Sequence, residues 1–294
     1  QPVRGDGMTL DTIDTAVGTA DVLHRLLLAV ECQDVVLQRR ISGSIQIGRE
    51  LPAALLPRGY DPSWPCQDLT GRGPGRAVSC FDYRTPIHTD LVIRIADPSR
   101  QFVARRLALP PWQLTELLAA ELNPPVVPAE SRLLRPWLAP GSGYRLPRGS
   151  TSIRGRVTRA DRTPARWARL TALGPGNQLV GWTQADDRGE FLLMIDSTGT
   201  LPPPAPSTLP VDLVVTAASP APVPPGPDTD QFADLVIEQL IRSASPPAPQ
   251  DLDSDLLRGR AVPAGYQANT AVLPQLSVGI GAELTLTTDI PFAA

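Results

Sequence analysis

The distribution of proline constrains the fold of this chain more than any other feature of its sequence. The chain has 34 prolines among 294 residues, about twice the usual share, and many lie in runs at 202–204, 220–227 and 246–249. Proline cannot donate a hydrogen bond to a β-ladder, and it breaks the interior of a helix. These runs are therefore expected to form loops or extended connectors, which confines helices and strands to the segments between them.

Residues 1–31 are predicted to form a helical arm. Across 10–31, apolar side chains recur at steps of three and four residues and form one stripe that includes Leu23 and Leu27. The stripe can pack on the chain's own domain, or it can dock on a neighbouring subunit. In the second case Leu23 and Leu27 are candidate partner-binding residues.

Residues 32–122 predict a β-rich domain with a short helix at its end. The clearest pair of strands is 89–96 and 101–109, because both are rich in aliphatic residues and a turn-forming Asp-Pro-Ser-Arg segment separates them. We expect these two strands to form a hairpin. The segment 110–122 begins with two prolines and has helical spacing, which predicts the helix.

A long loop at 51–75 interrupts this β-rich region. It is rich in proline and glycine, and it holds Tyr60 and Trp64. Loops of this length in a compact domain are functional, partner-binding or disordered. Tyr60 and Trp64 are therefore candidate partner-binding residues.

Residues 123–150 predict an extended linker that is rich in proline and glycine. Its Trp137 is expected to pack between domains or against a partner, because tryptophan is costly to leave in water and frequent at interfaces. Residues 151–217 have a different texture, in which short strands alternate with turn signals at a spacing of about 8–12 residues. This spacing indicates a β-sandwich.

The last region, 218–294, predicts a proline-rich connector followed by strands. Within it, 231–242 has the apolar spacing of a helix, but its Asp-Leu-Val-Ile run repeats one in an earlier predicted strand and favours a strand. The predicted fold is therefore mostly β, with two β-sandwich-like domains, an N-terminal helix and proline-rich extended connectors.

The stretch 181–193, Gly-Trp-Thr-Gln-Ala-Asp-Asp-Arg-Gly-Glu-Phe-Leu-Leu, raises the question of a metal site. Calcium loops need several oxygen ligands at alternating positions, whereas Asp186 and Asp187 are adjacent and would point to opposite faces of a strand. Turn chemistry explains the stretch better, because aspartate bonds its own backbone and Gly189 can take a positive φ. We therefore predict a hairpin here, and no metal site in the chain.

The residues nearest to a catalytic pair are Cys80 and His88. A cysteine nucleophile needs a base that is adjacent in space, and no orienting group or oxyanion site is visible beside them. A Cys66–Cys80 disulfide is left open, and with Cys32 the cysteine count is odd. The sequence predicts no catalytic residue and no cofactor, and hence a protein that is not an enzyme.

The charge of the chain disfavours nucleic acid as a partner. Its net charge is −3, its isoelectric point is about 5.5 and its basic residues are all arginine, so it lacks a general basic footprint. The pairs Arg39-Arg40 and Arg105-Arg106 are predicted to lie on solvated strand faces. The sequence contains no apolar run long enough to span a membrane and no visible signal peptide, which favours a cytoplasmic assembly or a released particle.

Residues 151–217 resemble the carboxypeptidase regulatory-like, or transthyretin-like, β-sandwich domains. The resemblance is carried by a Gly-x-Val strand, a Pro-Ala pair and a Thr-x-x-Asp-x-x-Gly-x-Phe turn, namely Gly155, Val157, Pro164, Ala165, Thr183, Asp186, Gly189 and Phe191. The Pro-Gly-x-Tyr that usually precedes the last strand of these domains is replaced by Thr-Leu-Pro-Pro-Pro-Ala-Pro-Ser-Thr-Leu-Pro. The resemblance implies a scaffold or adhesion role and no peptidase activity.

The mixture of a helical arm, hairpins and proline-rich connectors resembles accessory proteins of phage tails and contractile injection particles. We therefore expect a non-enzymatic assembly protein that forms a homo- or hetero-oligomer with protein partners. One alternative is a surface adhesion or carbohydrate-binding module that uses Tyr60 and Trp64 as its platform. Another is an enzyme that uses Cys80 and His88.

Overall fold

Short aliphatic runs between the proline clusters form strands, so the chain is mostly β, with two β-sandwich-like domains. The computed structural model describes residues 26–41, 45–51, 55–56, 58–68, 79–82, 91–122, 127, 129–195, 206–226, 229–241 and 254–294.

The first sandwich packs one five-stranded sheet against two small sheets. The large sheet consists of β4 (Gln46–Glu50), β5 (Cys66–Asp68), β7 (Leu91–Ala96), β8 (Arg105–Leu109) and β16 (Ile237–Gln239), in the order β16-β8-β7-β4-β5. The small sheets have the orders β6-β1-β9 and β10-β2-β3, and consist of β1 (Leu26–Val30), β2 (Gln33–Asp34), β3 (Arg39–Arg40), β6 (Ser79–Asp82), β9 (Leu133–Leu134) and β10 (Trp137–Leu138). Aliphatic side chains from all three sheets share one buried cluster.

The predicted N-terminal helix is wrong over 26–30, where the chain forms β1. This strand pairs antiparallel with β6 on one side and parallel with β9 on the other, and Leu27, Leu28 and Val30 are buried in the core. A short, wholly apolar run is compatible with a buried central strand as well as with one face of a helix. Here it forms a strand because it has a pairing partner on each side. The rest of the predicted arm, including Leu23, lies outside the described residues.

The predicted hairpin in this domain is confirmed. β7 and β8 pair antiparallel, with Ile93 opposite Leu107 and both side chains in the core. Asp97 closes the turn between them by accepting hydrogen bonds from the backbone N–H groups of Ser99 and Gln101. The predicted helix after β8 is α1 (Leu114–Leu122), which begins after the paired prolines.

The predicted linker 123–150 contributes strands to the first sandwich, so the prediction is wrong for 133–138. A 3₁₀ turn at Ala129–Arg132 leads into β9 and β10, which pair parallel with β1 and β2. Pro136 is compatible with this pairing because only its carbonyl is used, as the acceptor for the N–H of Gln33 at 2.9 Å.

The second sandwich consists of two facing sheets. One contains β11 (Ser152–Arg159), β14 (Glu190–Met194), β19 (Glu283–Thr285) and β20 (Ile290–Phe292), and the other contains β12 (Arg169–Leu173), β13 (Leu179–Gln184), β15 (Thr208–Ala218), β17 (Tyr266–Ala268) and β18 (Leu276–Gly279). Apolar side chains of the two sheets form one buried cluster. The strands predicted within 151–217 are confirmed, and a 3₁₀ turn at Pro175–Asn177 joins two of them.

The C-terminal region supplies strands to both sandwiches. β16 pairs parallel with β8 of the first sandwich, which confirms the strand prediction within 231–242. The strands β17 to β20 pair with β15 and β11 of the second sandwich. The chain therefore returns to the first sandwich after the second one has begun.

The acidic residues of 181–193 lie in a tight turn between β13 and β14, named here the acidic turn. The predicted hairpin is nevertheless wrong. β13 pairs with β12 while β14 pairs with β11, so the turn carries the chain from one sheet to the other. Asp186 Oδ1 accepts the N–H groups of Arg188 and Glu190, and Gly189 has a φ of 72°. The turn chemistry read from the sequence is correct, and the pairing of the flanking strands is not.

Candidate functional site

The segment 229–241, named here the bridging segment, binds both sandwiches through buried charges. Its Glu238 receives two hydrogen bonds from Arg105 of β8, at 3.0 and 2.8 Å, and an ion pair from Arg169 of β12 at 3.1 Å. Glu238 is 5% exposed and Arg105 is 1% exposed. One carboxylate therefore joins a guanidinium of each domain, and the prediction that Arg105 lies on a solvated face is wrong.

The remaining donors of Arg105 also have partners. Its Nη atoms donate to the backbone carbonyls of Trp137, Leu256 and Leu257 at 2.6 to 2.9 Å. Burial on its own would raise the pKa of Glu238, but Arg105 and Arg169 outweigh this effect and hold the pKa below its ordinary value. Glu238 is therefore ionised in the folded protein, and its charge is balanced on both sides.

A second charged group lies on the outer face of the large sheet. Glu50 of β4 accepts hydrogen bonds from Arg94 of β7 and Arg106 of β8, and Asp230 of the bridging segment pairs with Arg94. Burial would lower the pKa of Arg94, which is 1% exposed, yet its carboxylate partners raise it. The bridging segment therefore covers a sheet face that carries paired charges in place of apolar side chains.

Aromatic rings pack where the two sandwiches meet. Phe232 of the bridging segment contacts Trp64 of the first sandwich with ring centroids 6.4 Å apart, and Trp167 of the second sandwich at 6.0 Å. Trp167 is buried among Val103, Ala139 and other small side chains of the first sandwich. These side chains form a small apolar core at the interface between the domains.

A cleft of about 410 Å³ lies above these rings and is lined by both sandwiches and the bridging segment. Asp97 and Arg100, from the β7–β8 turn, face the acidic turn of the second sandwich across it. Arg100 binds Asp187 through two hydrogen bonds of 2.9 and 3.2 Å. The acidic turn therefore joins the two domains, in addition to connecting two sheets.

Asp186 of the acidic turn also lines this cleft, and hydrogen bonds satisfy one of its two oxygens. Its Oδ1 accepts two backbone N–H groups, but no described residue donates a hydrogen bond to its Oδ2, and Arg100 Nη1 is 3.7 Å from that oxygen. Burial raises the pKa of Asp186, and the nearby charges of Asp187 and Glu190 raise it further. Asp186 Oδ2 is therefore a buried oxygen to which no described residue donates a hydrogen bond, and Arg100 supplies its counter-charge.

The structure brings one of the sequence-predicted partner residues to this cleft. Trp64 lines it, whereas Tyr60 is 41% exposed and is not among the lining residues. Trp137 lies in β10, where Arg258 stacks 4.7 Å from the centre of its ring. Leu27 is 2% exposed in the core of the first sandwich, so its prediction as a partner contact is wrong, and Leu23 lies outside the described residues.

Sequence reasoning missed residues that join the domains, namely Arg100, Arg105, Arg169 and Glu238. Glu238 carried one usable signal, since it is the one acid in the otherwise uncharged run 235–241 of a predicted strand. An ionised residue at such a position calls for a buried partner of opposite charge. No sequence pattern identifies which of the 27 arginines supplies it.

Cys66 is a free thiol, so the Cys66–Cys80 disulfide left open by the sequence is not formed. Cys80 lies in β6, and His88 is outside the described residues, so their suggested pairing stays a prediction. Within the described parts of the chain, no cluster of three or more His, Cys, Asp or Glu residues is arranged to hold a metal ion. No helix among these residues is long and apolar enough to cross a membrane.

We expect Cys66 to resist alkylation in the folded protein. Burial raises the pKa of its thiol to about 12, so at pH 8 only about one thiol in ten thousand is a thiolate. Iodoacetamide labelling followed by peptide mapping should leave Cys66 unmodified in the native chain and modify it fully in guanidinium chloride. Labelling of native Cys66 at the rate of the unfolded chain would contradict the burial.

Comparison with known proteins adds little to this geometry. No known protein family matches the chain, and neither does any curated protein. A leucine-rich repeat protein from Bacteroides thetaiotaomicron aligns with 92% of the chain at 10% identity and a TM-score of 0.17. The chain spans 27% of the length of that protein. The class defined by the described residues is thus a mostly β protein with two linked sandwich-like domains.

Proposed function

We propose that this chain is a non-enzymatic structural protein that builds into a larger multi-subunit complex, such as a phage-tail-like or contractile injection particle. The observation that carries the proposal is the buried contact of Glu238 with Arg105 of one domain and Arg169 of the other. Separating the domains would expose or unpair these charges, which is costly for a buried ion pair. The chain therefore behaves as one rigid unit.

Rigidity of this kind favours a building block over an enzyme. Enzymes that work in an interdomain cleft usually open and close it to admit substrate and release product. Here ion pairs cross the junction at Arg100–Asp187 as well as at Glu238, and the bridging segment is paired into the sheet of the first sandwich. The resemblance of 151–217 to scaffold-type sandwich domains supports the same function.

The bridging segment also offers a surface for subunit contacts. Among the described residues β16 is the terminal strand of its sheet, and terminal strands are sites at which a partner adds a strand. Ile237 is 42% exposed and Ile241 is 88% exposed. Exposed aliphatic side chains beside an edge strand suit a protein interface.

The proposal is tested by the mass of the native assembly. We expect the chain in its source cells to be part of a particle much heavier than 31.5 kDa, and Ile241→Arg to reduce its incorporation. The matched control is Leu179→Arg. Leu179 is also an aliphatic residue, it is 44% exposed, and it lies on an edge strand of the second sandwich. Recovery of the wild-type chain as a free monomer at every concentration would overturn the proposal.

A glycan-binding role for Tyr60 and Trp64 has less support. Trp64 lines the interdomain cleft and Tyr60 does not, and the guanidinium of Arg94 lies 5.8 Å from the centre of the Trp64 ring. Sugar-binding platforms need an aromatic face that is free to stack. The geometry therefore favours assembly as the function of this chain.

A further inference from the structure

We propose that residues 219–226, named here the proline connector, form a docking segment for a partner protein whose binding groove is lined by tryptophan and tyrosine. The proline connector leaves β15 of the second sandwich and leads toward the bridging segment. This inference rests on the proposed assembly function and adds the kind of partner that the chain binds. The segment is separate from the edge strand β16.

The sequence of the proline connector favours the extended polyproline II conformation. Every residue from 219 to 226 is a proline or directly precedes one. Proline fixes its own φ, and the residue before it is confined to the β and polyproline II regions. Within the part of the chain that the structure describes, the backbone of 220–225 makes no hydrogen bond. A polyproline II helix likewise has no internal hydrogen bonds.

The exposure of the proline connector has the threefold period of this conformation. Its residues alternate so that every third one, at positions 219, 222 and 225, is half-buried, while all the others are exposed. A polyproline II helix has three residues per turn, so residues three apart lie on one edge. One edge therefore rests on the protein, and the other two face solvent.

The two exposed edges are apolar and uncharged. They carry Pro220, Ala221, Val223 and Pro224, and Val223 is 87% exposed. Prolines lack an N–H group, so the segment presents carbonyl acceptors and apolar rings. Tryptophan and tyrosine complement this chemistry because each combines an apolar face with an N–H or O–H donor. Grooves lined by aromatic side chains are a recurring way to bind extended proline-rich segments.

The fold holds both ends of the proline connector. The N–H of Ser219 donates to the carbonyl of Gly265 at 3.1 Å, and the N–H of Thr229 donates to the carbonyl of Gly226 at 3.2 Å. A segment that is fixed before its partner arrives loses less conformational entropy on binding. A spacer needs the same stiffness, but it does not need an aliphatic side chain in water at its centre. The exposed valine therefore favours a docking segment.

The test is an NMR titration in which the unlabelled full chain is added to each member of a panel of isotope-labelled WW domains. These domains bind proline-rich segments in an aromatic groove, and the control probes are the same domains with the groove tryptophan replaced by alanine. We expect the groove indole N–H signal of at least one domain to shift. The dissociation constant should rise about tenfold or more in Val223→Asp, because a charge would enter an apolar groove. Pro224→Ala should raise it about two- to fivefold through the loss of stiffness.

The matched control variant is Val272→Asp. Val272 is 97% exposed and lies between β17 and β18, outside the proline connector, so binding should be unchanged. Three results would each overturn the inference: no binding to any domain of the panel, equal binding to the probes that lack the groove tryptophan, or unchanged binding in Val223→Asp. They are distinct from failure of the assembly function. A heavy native particle together with any of them would leave the proposed function standing while the docking segment fails.

Discussion

Replacing Glu238 by glutamine should destabilise the protein by about 3–5 kcal/mol, because it leaves two buried guanidinium groups without their counter-charge. Glutamine has nearly the same shape, so the loss would come from charge and hydrogen bonding. The guanidinium groups of Arg105 and Arg169, each about 3 Å from the side chain at position 238, would then have a neutral amide between them. Urea unfolding followed by tryptophan fluorescence measures this loss.

The matched control for this variant is Glu283→Gln. Glu283 also pairs with an arginine, Arg154, but the two side chains are 36% and 31% exposed. A pair in contact with water contributes less than about 1 kcal/mol. Equal losses in Glu238→Gln and Glu283→Gln would show that the buried bridge does not hold the domains together.

The same bridge predicts the direction of the pH dependence. The pKa of Glu238 is lowered in the folded state, so its stabilisation is fully present above the ordinary value of 4.5 and is lost as the pH falls through the folded pKa. The difference in stability between wild type and Glu238→Gln should therefore shrink below about pH 4.5. A difference that grows on acidification would contradict this sign.

Replacing Gly189 by alanine should destabilise the second sandwich by about 3 kcal/mol or more, since two penalties coincide at this residue. Its φ of 72° is unfavourable for any residue with a Cβ, and a Cβ built there would lie 2.4 Å from the carbonyl oxygen of Val157. The acidic turn would have to move away from β11. Circular dichroism at increasing temperature measures the effect.

Gly176→Ala separates these two penalties. Gly176 has a φ of 70°, but a Cβ added to it would have no atom within 4 Å. It should therefore show the conformational cost alone, about 1–2 kcal/mol. Equal losses in Gly189→Ala and Gly176→Ala would mean that the turn does not pack tightly against β11.

The second sandwich could be predicted from the sequence because its signals are local. The turn residues around Asp161 and Gly189 punctuate short apolar runs, and the strands between them lie where the runs predict. Their pairing could not be predicted in the same way. A turn of similar chemistry can close a hairpin or cross between sheets, and long-range packing of β14 on β11 decides which one forms.

The first sandwich and the interdomain contacts depend on distant residues, which is why sequence reasoning failed there. Leu26–Val30 fits a helical stripe until strands from 79–82 and 133–134 pair on either side of it. Arg105 has the character of a surface residue until Glu238, 133 positions later, meets it inside the protein. Neither partner is visible in a local pattern.

Residual dipolar couplings of the intact chain give the most direct measurement of whether the bridging segment fixes the two sandwiches as one rigid unit. Couplings from β11–β15 and from β4, β7 and β8 should fit a single alignment tensor with the domain orientation of this structure. In Glu238→Gln the two sets of couplings should diverge as the domains separate. Two different tensors in the wild-type chain would contradict the rigid unit, and with it the basis for an assembly function.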